Sequence, residues 1–265
     1  MRLEKSRIMK SMNTPEEVKL MIPKIIHYAW FGNNPLPPIA VMCIESWQKY
    51  CPDYEIKRWD ESTYDYNANS YTREAYANKK YAFVTDYLRL DVLYRYGGIY
   101  MDTDVEVLRP LDNFLYEHAF SGFETNDSIP TGIMAAEKGN QWVFDQLQIY
   151  DGLHFVNTDG TFNETTNVRY ITNLSLAKYG LKLNGNKQTL LYGMTLYPKD
   201  YFCPKDYETG KIEFTQNTYT IHHFNASWLP MNRKIKKFIR EKLIMILGKD
   251  GYQWLKCRLR IGTTR

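Results

Sequence analysis

Very little in this 265-residue chain points to disulfides, structural zinc or a membrane span. Its four cysteines, Cys43, Cys51, Cys203 and Cys257, show no Cys-x-x-Cys spacing and no paired histidines at zinc distances. That excludes a disulfide scaffold and a zinc-finger framework and leaves reduced thiols. The longest purely apolar run near the C-terminus, Leu243 to Leu247, is far short of the roughly 20 residues that cross a bilayer. The N-terminal stretch is charged throughout and lacks the apolar core of a signal peptide, so the expected location is the cytoplasm. No repeat or low-complexity tract occurs, and no basic stripe lies outside the last segment, which argues against nucleic acid as a partner.

What the chain does have is an ordinary globular composition with an aromatic surplus. Hydrophobic residues make up 44% and charged residues 24%, enough for one domain with a real core. Aromatics reach 15%, with 22 Tyr and 6 Trp, whose flat faces and polar edges suit sugar rings and nucleobases as well as packing. Charge is unevenly spread. Residues 230–265 hold 11 Lys and Arg against 2 Asp and Glu, a net +9, which leaves 23 basic and 28 acidic residues, net −5, for the remainder. A mildly acidic body thus carries a strongly basic tail, which points to an anionic partner for the tail alone.

Three segments follow: a polar lead-in (1–21), a body (22–229) and the basic tail (230–265). A strand pattern begins at Pro23 and ends at Gly32. A helix is expected over Ile39–Tyr50, stopped before Pro52, and a strand over Tyr54–Trp59. Val84, Leu88 and Val92 recur at i, i+4 and i+8 in a helix over Tyr81–Tyr96, which Gly97 ends. A strand is expected over Ile99–Leu108, with shorter ones near Ala119–Phe123, Gly132–Ala136 and Tyr219–Phe224. Helices are expected near Asn140–Tyr150 and Val168–Tyr179. Strands alternating with helices give an α/β fold with a mostly parallel central sheet in the first half; the second half looks more irregular.

The most informative stretch is Gly97-Gly98-Ile99-Tyr100-Met101-Asp102-Thr103-Asp104. If it continues as a strand, Asp102 and Asp104 share a face with Cα atoms roughly 6.6 Å apart. Two carboxylates so placed can hold a hard divalent cation, magnesium or manganese, against a diphosphate. Gly97 and Gly98 would let a ligand approach the backbone. Alone, the Asp-x-Asp tripeptide reads more readily as a strand with a solvated acidic face. Asp86 and Arg89, one turn apart on the preceding helix, can hydrogen-bond vicinal sugar hydroxyls or form an ordinary i, i+3 ion pair.

The ordered set Ile-Pro-Lys-Ile-Ile-His-Tyr-Ala-Trp-Phe-Gly (22–32), Ala82, Thr85-Asp86, Arg89, Leu93, Gly97-Gly98-Ile99-Tyr100, Asp102 and Asp104 resembles glycosyltransferase family 32. That family includes yeast mannosyltransferases and bacterial capsule enzymes, and the large clostridial glucosylating toxins carry a similar core. The segment His-His-Phe-Asn-Ala-Ser-Trp (222–228) extends the resemblance. It implies a GT-A type nucleotide-sugar-binding fold and a metal-dependent, retaining transferase. The donor would be a UDP- or GDP-sugar, and the acceptor a saccharide or a lipid-linked one in cell-surface polysaccharide synthesis. A sugar-binding module without turnover is the competing class. By the same resemblance, Trp30 stacks on the nucleobase and Thr85, Asp86 and Arg89 bind ribose and sugar hydroxyls. Asp102 contacts sugar and metal, Asp104 is the direct metal ligand, and Ser227 and Trp228 hold the diphosphate. One of the adjacent His222 and His223 completes the metal shell, with His222 preferred. Relatives often carry Thr-Gly-Pro where this chain has Glu164-Thr165-Thr166-Asn167, so Asn167 is the candidate contact there. The loop Asp127–Gly132 is expected to face the donor sugar. Either a covalent intermediate or front-face attack is compatible with retention.

In the tail, Asn232–Leu247 places Ile235, Phe238, Ile239, Leu243, Ile246 and Leu247 near one side, flanked by Arg233, Lys234, Lys236, Lys237 and Arg240. A second cluster, Lys256, Arg258 and Arg260, follows with Trp254. Such basic amphipathic helices suit the anionic inner face of a membrane through residues 231–260, or packing of the apolar stripe on the body.

Overall fold

The computed structural model describes residues 21–125, 128–225 and 231–259, with some side chains of the last segment undescribed. Ser227, Trp228, Asp127, Arg260 and nearly all of the polar lead-in lie outside the described residues, as do the side chains of Arg233, Lys234 and Lys237.

The chain runs β1 (Ile25–Ala29), α1 (Pro38–Tyr50), β2 (Glu55–Trp59), α2 (Ser70–Ala77) and α3 (Tyr81–Tyr96). It continues through β3 (Gly98–Met101), β4 (Val105–Val107), β5 (Ala119–Gly122), β6 (Ile133–Ala136), α4 (Gln141–Gln148) and α5 (Asn167–Lys178). Last come β7 (Gln188–Thr189), β8 (Met194–Tyr197), a short α6 (Lys199–Phe202), β9 (Thr220–His222) and α7 (Met231–Leu259), which breaks at Gly248. A seven-stranded sheet has the order β2-β1-β3-β6-β5-β8-β7. Only β6 and β7 run against the rest, so five strands share one direction. The second half is the more irregular, as expected, but it supplies the short strands β7 and β8 that complete this sheet. α2 also escaped the hydrophobic pattern. Its signal was a cap: the Asn69 side chain accepts from Tyr71 N at 2.9 Å and from Thr72 N at 3.4 Å.

Strand alternation sorts the core onto two faces. Ile26, Tyr28, Ile99, Met101, Phe120 and Ala135 pack on one side with Cys43 and Trp47 of α1. Ala29, Tyr100, Ala119, Met134 and Met194 pack on the other, with Val84 and Leu88 of α3 and Trp142 of α4. Between β1 and α3, His27 is fully buried: its Nε2 bonds Gly97 O at 2.8 Å and its Nδ1 accepts from Trp59 Nε1 at 3.1 Å. Burial pushes its pKa down to about 4.

The expected single strand over Ile99–Leu108 is two strands in different sheets. β3 belongs to the large sheet, whereas β4 pairs antiparallel with β9 in a separate ribbon, Val105 opposite His222. Between them the chain turns, Val105 N donating to Asp102 O at 3.0 Å.

Candidate active site

Asp102 and Asp104 sit in that turn, not along a pleat. Strand alternation therefore does not align them, but the turn brings their carboxylates together, and the ribbon adds an imidazole. Ligand atoms of Asp102, Asp104 and His222 lie within 4.8 Å of one another, the one such group of three among the described residues. His222 Nε2 is 3.2 Å from Asp104 Oδ1, while the neighbouring His223 turns away to Glu106 at 2.9 Å. Phe224 takes a left-handed φ of 54°, which swings Asn225 so that its N–H reaches Asp104 Oδ2 at 2.7 Å. Gly132 closes the back: its carbonyl accepts from Asp102 N at 2.8 Å, and a Cβ there would come within 2.7 Å of His222 Nδ1.

Electrostatics separate the two aspartates. Burial alone would raise both. At Asp104 the His222 charge and hydrogen bond and the Asn225 N–H overcome it, bringing the pKa down to about 2. At Asp102 burial prevails over Arg89 and His222, and the pKa stays raised. Burial opposes the charge on His222, yet Asp104 holds its pKa well above the usual imidazole value.

Arg89 projects from α3 into the floor of the site and is only 4% exposed. Nε donates to Thr85 O at 3.1 Å and Nη1 to Thr131 O at 2.6 Å, with Asp102 3.3 Å away. Nη2 reaches Thr85 Oγ1 at 3.3 Å and Asp86 at 3.4 Å. Three hydrogen bonds to its own chain and two carboxylate neighbours thus fix the guanidinium, which in turn positions Asp86 and Asp102. Burial lifts the Asp86 carboxyl to about 6 against the pull of Arg89. Asn167 is buried; its Nδ2 donates to Asp86 O at 2.7 Å and its Oδ1 is unpartnered.

These groups open into a cavity of about 1360 Å³ lined also by Trp30, Asn34, Thr85, Tyr100, Phe224 and, from α7, Lys236, Arg240, Leu243 and Lys256. Trp30 is half-buried at the end of β1, its Nε1 tethered to Asn34 O at 2.7 Å, and it belongs to neither core cluster. Gly98 does not line the cavity, contrary to expectation. A Cβ there would lie 2.6 Å from Ile25 O and 3.1 Å from His27, so its missing side chain admits β1, not a ligand. Two participants had no sequence signal. Glu124, its pKa raised by burial, sits in the electrostatic field of His222 and Asp102. Tyr207 stands on the α7 side of the cavity, edge-on to Phe224 at 5.2 Å.

Residues 37–121 match the family model described as a glycosyltransferase sugar-binding region containing a DXD motif. Inositol phosphoceramide mannosyltransferase 3 of Schizosaccharomyces pombe is 35% identical over 131 residues, covering 48% of this chain and 36% of that protein. Subversion of eukaryotic traffic protein A of Legionella pneumophila is 25% identical over 215 residues, covering 65% and 33%. The chain thus spans about a third of the length of these curated relatives. Among solved structures, PaToxG glycosyltransferase aligns over 59% of this chain and 70% of its own at 18% identity and a TM-score of 0.46. Galactosyltransferase LgtC aligns over 80% and 94% at 14% identity and a TM-score of 0.42.

Proposed function

We propose that the chain is a divalent-cation-dependent glycosyltransferase that moves a sugar from a UDP- or GDP-linked donor to a saccharide or lipid-linked acceptor. The observation that carries this reading is the convergence of Asp102, Asp104 and His222 at the floor of a cavity large enough for two substrates. Two carboxylates and one imidazole fit manganese, or magnesium, and an ion held there would neutralise charge on a departing nucleotide diphosphate. Trp30, at the same cavity, offers a face on which a nucleobase can stack. The family match over residues 37–121 and the mannosyltransferase relative support sugar transfer, and bacterial capsule or cell-surface polysaccharide assembly is the pathway we favour.

We further propose retention of anomeric configuration by front-face attack. Among the described residues the cavity's carboxylates are Asp86, Asp102 and Asp104, and each is engaged by Arg89 or His222. None is left as a glycosyl nucleophile. In this route the acceptor oxygen bonds the anomeric carbon as its bond to phosphate breaks, and the acceptor proton passes to the leaving phosphate oxygen.

α7 supports peripheral attachment to the anionic cytoplasmic face of a membrane, as much of its apolar stripe stays exposed although Ile239 and Leu243 line the cavity. Ile235, Phe238 and Ile239 are more than half exposed, and Ile246 reaches 77%. No helix among the described residues is long and apolar enough to cross a membrane.

The deciding experiment measures manganese-dependent release of UDP or GDP from a panel of nucleotide sugars. Asp104→Asn should lower turnover by about 1000-fold while leaving the fold intact. Unchanged turnover in that variant refutes the metal role, and binding without turnover in the native chain selects the sugar-binding module instead.

A further inference from the structure

The cavity has two ends of unlike chemistry. At one end Asp86, Asp102 and Asp104 are paired with Arg89 or His222; at the other, α7 brings Arg240. Nε and Nη2 of Arg240 are buried and meet no hydrogen-bond acceptor among the described residues. Its Cζ lies 5.6 Å from the centroid of Tyr207, which packs on Phe224, whose ring in turn is 4.2 Å from that of His222. Two aromatic rings therefore connect the guanidinium to the carboxylate–imidazole cluster along one cavity wall. Lys236 and Lys256 line the same wall and make it positive. The three cavity carboxylates are taken by Arg89 and His222, so none is available to Arg240.

Two buried guanidinium nitrogens without acceptors are costly, and buried unsatisfied groups in folded proteins commonly mark a missing ligand or ion. The planar fork of arginine suits the paired oxygens of a phosphate. We propose that Arg240 is a phosphate seat of this cavity, carried by the tail and filled only when substrate is present. The phosphate has two sources, the diphosphate of the donor or a phosphate ester in a lipid-linked acceptor. The proposal rests on the reading of the cavity as a nucleotide-sugar site and adds to it that α7 is part of the binding machinery.

Calorimetric titration of the full-length protein, without turnover, separates the sources. One arm uses UDP, GDP and inorganic pyrophosphate; the other uses dihexanoyl phosphatidic acid below its micellar concentration. Arg240→Gln should weaken at least one arm by ~10-fold or more, Arg240→Lys should fall between it and the native protein, and Lys242→Gln, exposed on the same helix, should change neither. Loss confined to the first arm assigns the seat to the donor; loss confined to the second assigns it to the acceptor. Native affinity for every probe in Arg240→Gln overturns the proposal, as does equal loss in Lys242→Gln or no binding of any probe by the native protein. If Arg240→Gln fails to fold, Arg240→Lys decides, since it keeps the charge and loses the fork. Absence of turnover with all nucleotide sugars would sink the transferase reading alone, because these titrations need no reaction.

Discussion

Two arginines face one cavity, and they differ in what satisfies them. Arg89, on α3, makes three hydrogen bonds to its own chain and pairs with Asp86 and Asp102, beside the carboxylate–imidazole cluster. On α7, Nε and Nη2 of Arg240 have no such partners among the described residues, and the helix presents apolar side chains to solvent. The first region is organised before any ligand arrives. The second is complete only with one. Pre-organised charge belongs where bond breaking occurs, and an adaptable wall belongs where substrates enter and leave.

The sharpest way to break that contrast is to remove both guanidinium groups in turn. Arg89→Gln strands two partly buried carboxylates and should cost about 2–4 kcal/mol of unfolding free energy, whereas Arg240→Gln should stay within about 1 kcal/mol of the native protein. Equal costs by denaturant titration would erase the distinction between the two regions.

A somewhat smaller effect tests the rigid side through pH. His27 is neutral in the fold, with Nε2 bonded to Gly97 O and Nδ1 receiving the Trp59 N–H, so its second proton has no place. With its pKa lowered to about 4, the unfolded chain binds that proton first. Stability is full above about pH 6.5 and declines as pH falls toward 4, by up to about 3 kcal/mol. Asp86, raised to about 6, works in the opposite sense, gaining stability on acidification below that pH. Comparison with His27→Gln isolates the histidine: the variant should lose less between pH 6.5 and 4 than the native protein. An identical pH profile would refute this account.

The smallest stability change is expected on the mobile-substrate side. Phe238→Ser with Ile246→Ser should shift unfolding by no more than about 0.5 kcal/mol per site, since both side chains are exposed. Flotation with anionic liposomes should nevertheless fall markedly. Failure of the native protein to float, or equal flotation of the double variant, removes the membrane from the picture.

Much of this was legible in the residues, for identifiable reasons. α3 showed itself completely because Val84, Leu88 and Val92 mark a buried stripe and Gly97 closes it. Trp30, Asp86, Arg89, Asp102, Asp104, His222 and Asn167 do meet at one cavity. What stayed hidden depends on long-range geometry. The break after Met101 was invisible because Val105 and Val107 continue an alternating apolar pattern, yet they serve a different sheet. Gly98 looked like a ligand's doorway, when a neighbouring strand fills that space. Arg240 showed only as one of the basic residues beside the tail's apolar stripe, since a sequence does not display which side chain reaches a distant cavity.

The pairing of Val105 with His222 also fixes an order of events. Every strand of the large sheet lies before Pro198, so the scaffold can close while the imidazole is still unplaced. A nascent or truncated polypeptide lacking β9 would own both aspartates and still grip a cation poorly. On the proposed reading, cation-binding competence would follow closure of the large sheet and arrive only with the ribbon.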